Sequence, residues 1–111
     1  MSDSLDFAGK VALVTGSSRG IGAGIVKALN DRGARCVVNY VRDLGGVNER
    51  DAAGIASGLR DALVVECDVG DDEQVGAMMT RVKAEAGGLD ILVNNAGILR
   101  DKTLKKMTTA V

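Results

Sequence analysis

The sequence has no proline, no histidine and no tryptophan, and its aromatic content is 2%, a single tyrosine and a single phenylalanine. The missing histidine excludes Ser-His and Cys-His nucleophile couples and any imidazole metal ligand. With so few aromatics, the 46% hydrophobic content must build an aliphatic core from Val, Ile, Leu, Ala and Met. The two cysteines, Cys36 and Cys67, lack metal-ligand spacing and each falls in a strand-like run. They read as small buried apolar residues, with no metal site and no disulfide. An excess of charge is also lacking. Fourteen basic and fifteen acidic residues leave a formal net charge of −1, so no basic field exists to hold nucleic acid or an anionic membrane. No apolar run approaches the ~20 residues of a bilayer span. The opening "MSDSLDFAGK" is acidic, with no apolar segment of the secretory kind, and a cytoplasmic location is the expectation.

What is abundant is glycine, 15 in 111 residues, interleaved with strand-like and helix-like runs. That pattern predicts tight backbone turns within one small domain spanning 1–111. Residues 10–15, "KVALVT", form an apolar run without polar alternation, as a strand buried on both faces does. Residues 20–31 place Ile21, Ile25, Ala28 and Leu29 at helical spacing, with Gly33 as a stop signal. A second strand is predicted over 35–40, and a helix over 47–58 that Gly54 weakens. A third strand follows over 62–68, then a helix over 71–87 with acids in its first turn. That helix repeats Val75, Met78, Met79 and Val82 at intervals of three and four; a fourth strand covers 89–95. The order β-α-β-α-β-α-β implies α/β architecture with a parallel, doubly wound sheet of order 3-2-1-4.

The densest signal is "ALVTGSSRGIG", residues 12–22. Gly16 follows the first strand directly, and Gly20 and Gly22 open the first helix. A glycine turn in that position lets the backbone approach a diphosphate closely, and the helix start offers it free N–H groups and positive dipole. The strand before and the helix after favour this over an empty tight turn. The spacing T-G-x-x-x-G-x-G is neither G-x-G-x-x-G nor the phosphate loop of nucleoside triphosphatases, since no Gly-Lys-Ser/Thr follows.

Together with "NNAG" at residues 94–97, this spacing resembles the short-chain dehydrogenase/reductase superfamily, in its short single-domain branch with a Rossmann-type sheet. The segments "GKVALVTGSSRGIG", "ECDV" and "LDILVNNAGILRDKTLKKM" fall in family order along essentially the whole chain. The last looks most like 3-oxoacyl-[acyl-carrier-protein] reductases and the neighbouring acetoacetyl-CoA reductases. The resemblance implies that Gly16, Ser17, Ser18, Arg19, Gly20, Ile21 and Gly22 bind the cofactor diphosphate. Gly16 and Gly20 would leave room for phosphate, Gly22 would allow close helix-to-strand packing, and Ser18 would offer a hydroxyl near the ribose or phosphate. It also implies that Asp68 hydrogen-bonds adenine while Val69 packs on the ring. Capping of the helix that starts near Asp71 is the other reading of Asp68. Asn95 would contact the cofactor's ribose side, Asn94 would tie neighbouring strands together, and Ala96 and Gly97 would let the nicotinamide ribose pass.

Cofactor choice rests on the second strand's end. An NAD-selective member carries Asp or Glu there, whereas this chain has Tyr40, with Arg42 two residues on. Asp43, one step further, is expected to face solvent. A guanidinium at Arg19 or Arg42 suits a 2′-phosphate, so NADP(H) is preferred and NAD(H) remains possible. Arg100, Lys102, Lys105 and Lys106 read either as a solvated helix start or as a basic patch for an acidic acyl carrier.

The family implies a catalytic Ser and Tyr-x-x-x-Lys, with an Asn on the helix after "NNAG". None of these positions falls within the 111 residues, and Tyr40, the sole tyrosine, has Leu44 four residues on. No catalytic residue is therefore assigned. The expectation is the cofactor-binding part of a longer domain, with an acyl thioester substrate and a homo-oligomeric state belonging to the parent. A different alcohol dehydrogenase or carbonyl reductase of the branch, or a non-catalytic nucleotide-binding module, are the alternatives. In such a part the fourth strand, "ILV" at 91–93, would form an apolar sheet edge.

Overall fold

A computed structural model describes residues 6–96. Its elements are β1 (Val11–Val14), α1 (Gly20–Asp31), β2 (Arg35–Tyr40), α2 (Val47–Ser57), β3 (Leu63–Glu66), α3 (Asp72–Ala86) and β4 (Ile91–Val93). The four strands are parallel and ordered β3-β2-β1-β4, as the sequence alternation predicts. Leu13 sits between Val37 and Leu92, so β1 is flanked on both sides.

Alternate residues of each strand feed two separate cores, because successive side chains point to opposite faces. Val11 and Leu13 join Val37 and Val65 in one layer, closed by Val75, Met78, Met79 and Val82 of α3. Ala12 and Val14 join Cys36, Val38 and Tyr40 in the other, covered by Val26 of α1 and Ala52 of α2. All of β1 is buried, which is why "VALV" shows no polar alternation. Both cysteines are free and buried, as expected.

The face of α1 departs from its apolar periodicity. Gly22, Ala23, Val26 and Asn30 are the buried residues. Ile25 and Leu29 are half-buried, Ala28 is exposed, and Ile21 is 78% exposed. The helix is rotated so that Gly22, without a side chain, meets the strand ends. Hydropathy spacing is blind to a glycine used as a contact surface. Asn30, 5% exposed, ties the helix end to the loop before β3. Its amide donates to the Ala34 and Arg60 carbonyls and accepts from the Arg60 N–H.

Helix α3 starts at Asp71, whose side chain accepts from the Glu73 and Gln74 N–H groups, and ends at Gly87 in the left-handed region. Strand β4 has three half-buried residues and pairs only with β1, so among the described residues it is a sheet edge. No helix among them is long and apolar enough to cross a membrane.

Candidate functional site

β2 and β4 lie on opposite sides of β1, so the carboxyl end of β1 opens at the point where the strand order reverses. Ligands of open α/β sheets bind in that crevice. The chain leaves β1 through Thr15 into a turn in which Gly16 (φ +63°) and Gly20 (φ +61°) both take left-handed backbone, a conformation that favours glycine.

Two neighbouring segments, β2 and the end of β4, hold this turn. Asn39 on β2, 2% exposed, accepts the Gly16 N–H at 2.9 Å through Oδ1. Its backbone carbonyl accepts the Ser17 N–H at 3.0 Å, and its own N–H donates to Ser17 Oγ at 2.9 Å. From the β4 side, Asn95 donates through Nδ2 to the Gly16 carbonyl at 3.2 Å. Thr15 Oγ1 accepts the Ala96 N–H at 3.0 Å and donates toward the Val93 carbonyl or Asn94 Oδ1, each at 3.4 Å. Asn94 thus lies beside the residue that follows β1, and Asn95 meets the glycine turn.

Each glycine has a distinct reason to be there. A Cβ on Gly22 would lie 2.5 Å from the Gly16 carbonyl oxygen and 2.6 Å from Asn95 Nδ2, so the helix packs directly on the turn. A Cβ on Gly20 would meet nothing within 4 Å; there the requirement is the backbone angle and the open space before the helix. The N-cap of α1 is Arg19, with no side-chain cap. By contrast α3 has Asp71, and α2 receives Asp43 Oδ1 on the Asn48 N–H at 3.0 Å. Among the described residues the N-cap of α1 makes no side-chain hydrogen bond to its first turn, and an uncapped helix start is an arrangement that can bind anions. Ser17 and Ser18 are buried beneath it.

Around this turn lie the groups expected to meet an adenosine. Tyr40 closes β2 opposite Glu66 and is 9% exposed. Burial, reinforced by the Glu49 and Glu66 carboxylates, pushes its phenol pKa up, while Arg42 and Arg81 pull it down. Tyr40, Arg42, Asp43, Gly46, Glu49 and Glu66 help to line a cleft of about 320 Å³. Arg42 is 4.0 Å from Glu66. Arg19 reaches the first turn of α2, where it bonds Asn48 and pairs with Asp51 at 3.2 Å. Asp43 does not simply face solvent as expected; it is half-buried because it caps α2.

Asp68 is exposed past the end of β3, its carboxylate accepting the Gly70 N–H at 2.9 Å and its N–H donating to Gln74. It does not cap α3, since Asp71 does. Val69 is 8% exposed and packs into the α3 core layer. Gly97 and the basic residues Arg100, Lys102, Lys105 and Lys106 lie outside the described residues.

Asn39 and Thr15 are the structural hubs not singled out as site residues. The signal for Asn39 was an amide interrupting the apolar run "CVVNY". Among the described residues no group of three or more His, Cys, Asp or Glu side chains could hold a metal.

A parallel α/β sheet with a left-handed glycine turn and an uncapped helix start at its switch point defines a nucleotide-binding protein. Residues 10–111 match the family model for short chain dehydrogenases, and the chain belongs to that family, whose members are oxidoreductases using nicotinamide dinucleotides. It is 44% identical over 108 residues to versicolorin reductase 1 of Aspergillus parasiticus, covering 97% of this chain and 41% of that protein. It is 42% identical over 103 residues to the 3-oxoacyl-[acyl-carrier-protein] reductase FabG of Salmonella typhimurium, covering 93% and 40%. Among solved structures, a metagenomic short-chain oxidoreductase in complex with NADP superposes with a TM-score of 0.68 at 40% identity, over 83% of this chain and 41% of that one. The chain thus spans about two fifths of the length of the relatives it matches.

Proposed function

We propose that this chain forms the adenosine and diphosphate side of an NADP(H)-dependent carbonyl reductase, with 3-oxoacyl thioesters as the substrate class. The observation that carries the reading is the start of α1. Two left-handed glycines lead into a helix whose first turn receives no side-chain acceptor, at the switch point of the sheet. The residues fit a dinucleotide. The turn N–H groups from Ser18 to Gly22 would take the diphosphate, and Asn39 and Asn95 would keep the turn open. Tyr40 would stand beside the adenosine ribose, where its hydroxyl, unlike a carboxylate, does not repel a 2′-phosphate. Arg19 and Arg42 would answer that phosphate's charge. Asp68 would accept from the adenine amino group. When bound, the cofactor would supply the hydride; this chain's residues would bind and orient it.

Two similar relatives, one named for versicolorin and one for 3-oxoacyl thioesters, stand at nearly equal identity. A different carbonyl reductase or alcohol dehydrogenase of the family is therefore the second reading. Both readings would put the proton donor in a Tyr-x-x-x-Lys segment, a pattern the 111 residues do not contain.

Isothermal titration with NADPH and NADH tests the cofactor. NADPH is expected to bind about tenfold more tightly, the discrimination of one charged contact; equal affinities would remove the roles given to Arg19 and Arg42. For the substrate, NADPH oxidation is followed in a protein extended in frame through a Tyr-x-x-x-Lys segment. Acetoacetyl thioester and versicolorin are offered in parallel, and preference for versicolorin would replace the first reading with the second.

A further inference from the structure

Both cations assigned to the 2′-phosphate are already engaged by carboxylates of this chain. Arg42 approaches Glu66 only loosely, at 4.0 Å, with its side chain 83% exposed. Arg19 is held more closely. Its guanidinium lies 3.2 Å from Asp51 and bonds Asn48 Oδ1. Asn48 is in turn fixed from two sides: its Nδ2 donates to the Val41 carbonyl at 2.8 Å, and its N–H donates to Asp43 Oδ1 at 3.0 Å. The result is a bridge from the glycine turn to the β2–α2 loop, with one neutral anchor and one charged one.

We infer that Asp51 sets how strongly the site discriminates a 2′-phosphorylated adenosine from an unphosphorylated one, by competing with that phosphate for the Arg19 guanidinium, while Asn48 fixes where the guanidinium points. This rests on the NADP(H) reading given above. The physical argument is one of charge and distance. A phosphate bound to Arg19 stands within one guanidinium's width of the Asp51 carboxylate. Like charges a few ångströms apart at a protein surface repel appreciably. The Arg19–Asp51 pair is half-exposed and so weakly held, which makes it displaceable. Asn48 adds no charge, so Arg19 stays aimed when the carboxylate is neutralised. Asp43, Glu49 and Glu66 line the cleft beside Tyr40 and Arg42 and add negative charge on that side of the β2–α2 loop.

The test is the ratio of NADPH to NADH dissociation constants, with 2′,5′-ADP and 5′-AMP as probes of the adenosine half alone. Asp51→Asn is expected to tighten NADPH by about threefold to tenfold and leave NADH within about twofold, a change that a purely structural role for Asp51 would not produce. Asn48→Ala keeps the carboxylate but frees Arg19, and is expected to lower the preference for NADPH. In an Arg19→Gln background, Asp51→Asn should change the ratio much less. An unchanged or reduced NADPH preference in Asp51→Asn, or a full effect persisting without Arg19, would overturn the inference. Failure of the unsubstituted protein to bind either dinucleotide would instead reject the cofactor reading and this inference with it. Circular-dichroism melting of each variant separates folding from recognition, and Asp51→Asn, at a half-exposed position, decides the matter if Asn48→Ala unfolds.

Discussion

Asn39 on β2 accepts the Gly16 N–H at 2.9 Å, so a buried amide on one strand holds the turn that leaves its neighbour. The same side chain donates to the Val65 and Cys67 carbonyls at 3.3 and 3.2 Å, reaching the third strand and its end. Replacing Asn39 by Ala leaves a turn donor and strand carbonyls without partners in a dry interior. The expected loss is about 2–4 kcal/mol of unfolding free energy, since each orphaned buried polar group costs ~1–3 kcal/mol. Urea denaturation measures it, and a loss below 1 kcal/mol would show that water replaces the amide.

Gly22 and Gly24 stand two residues apart on α1 and should respond oppositely to alanine. At Gly24 a Cβ meets nothing within 4 Å, so Gly24→Ala is expected to raise stability by about 0.5–1 kcal/mol through helix propensity and chain entropy. At Gly22 the Cβ would press on the Gly16 carbonyl oxygen, Asn95 and the Ser17 Cα at 2.5–2.9 Å. Gly22→Ala is expected to cost about 1–3 kcal/mol and to weaken nucleotide binding, because the turn must shift. Thermal melting of the two variants side by side checks both signs.

Asp68 and Asp71 are expected to separate recognition from capping. Asp71 accepts two N–H groups of the first α3 turn, and Asp71→Ala is expected to cost about 1 kcal/mol with adenine-nucleotide affinity unchanged. The Asp68 carboxylate accepts the Gly70 N–H in a tight turn. Asp68→Ala should therefore lose nucleotide affinity with a smaller stability change. The opposite pattern in paired titration and denaturation experiments would take Asp68 out of the site.

The two thiols predict an alkaline limit. Burial raises both Cys36 and Cys67 from 9.0 to about 11, with acidic neighbours adding to the effect at Cys67. A raised folded-state value means that the unfolded chain releases its thiol protons first. The stabilisation is therefore complete below pH 9, falls between pH 9 and about 11, and is flat above. Melting temperatures measured across that range should decline, and less so in a Cys36→Ala, Cys67→Ala double variant. At pH 8 neither thiol should react with a disulfide reagent until the protein is unfolded.

Some of this molecule is legible one segment at a time. The unalternating "VALV" of β1, the repeat of Val75, Met78, Met79 and Val82 and the glycine turn after β1 all follow from local stereochemistry and periodicity. So do the element order and, through the handedness of crossovers, the sheet order. The α3 cap, by contrast, fell on Asp71 and not on Asp68. The partners were not legible. The Asn39 amide bonds Gly16 from 23 residues away, Asn95 reaches the Gly16 carbonyl across 79, and Arg19 finds Asn48 across 29. The exposure of Ile21 and the burial of Asn30 likewise went against hydropathy.

The sequence by itself determined that a strand would end in a glycine turn and that a helix would begin there, because backbone angles and hydrophobic period are properties of neighbours along the chain. Tertiary structure decided how that helix is rotated, which polar side chains hold the turn open, and which carboxylates already engage its arginines. Those outcomes depend on which distant groups must share one buried space and satisfy one another's hydrogen bonds and charges, and no single segment carries that information.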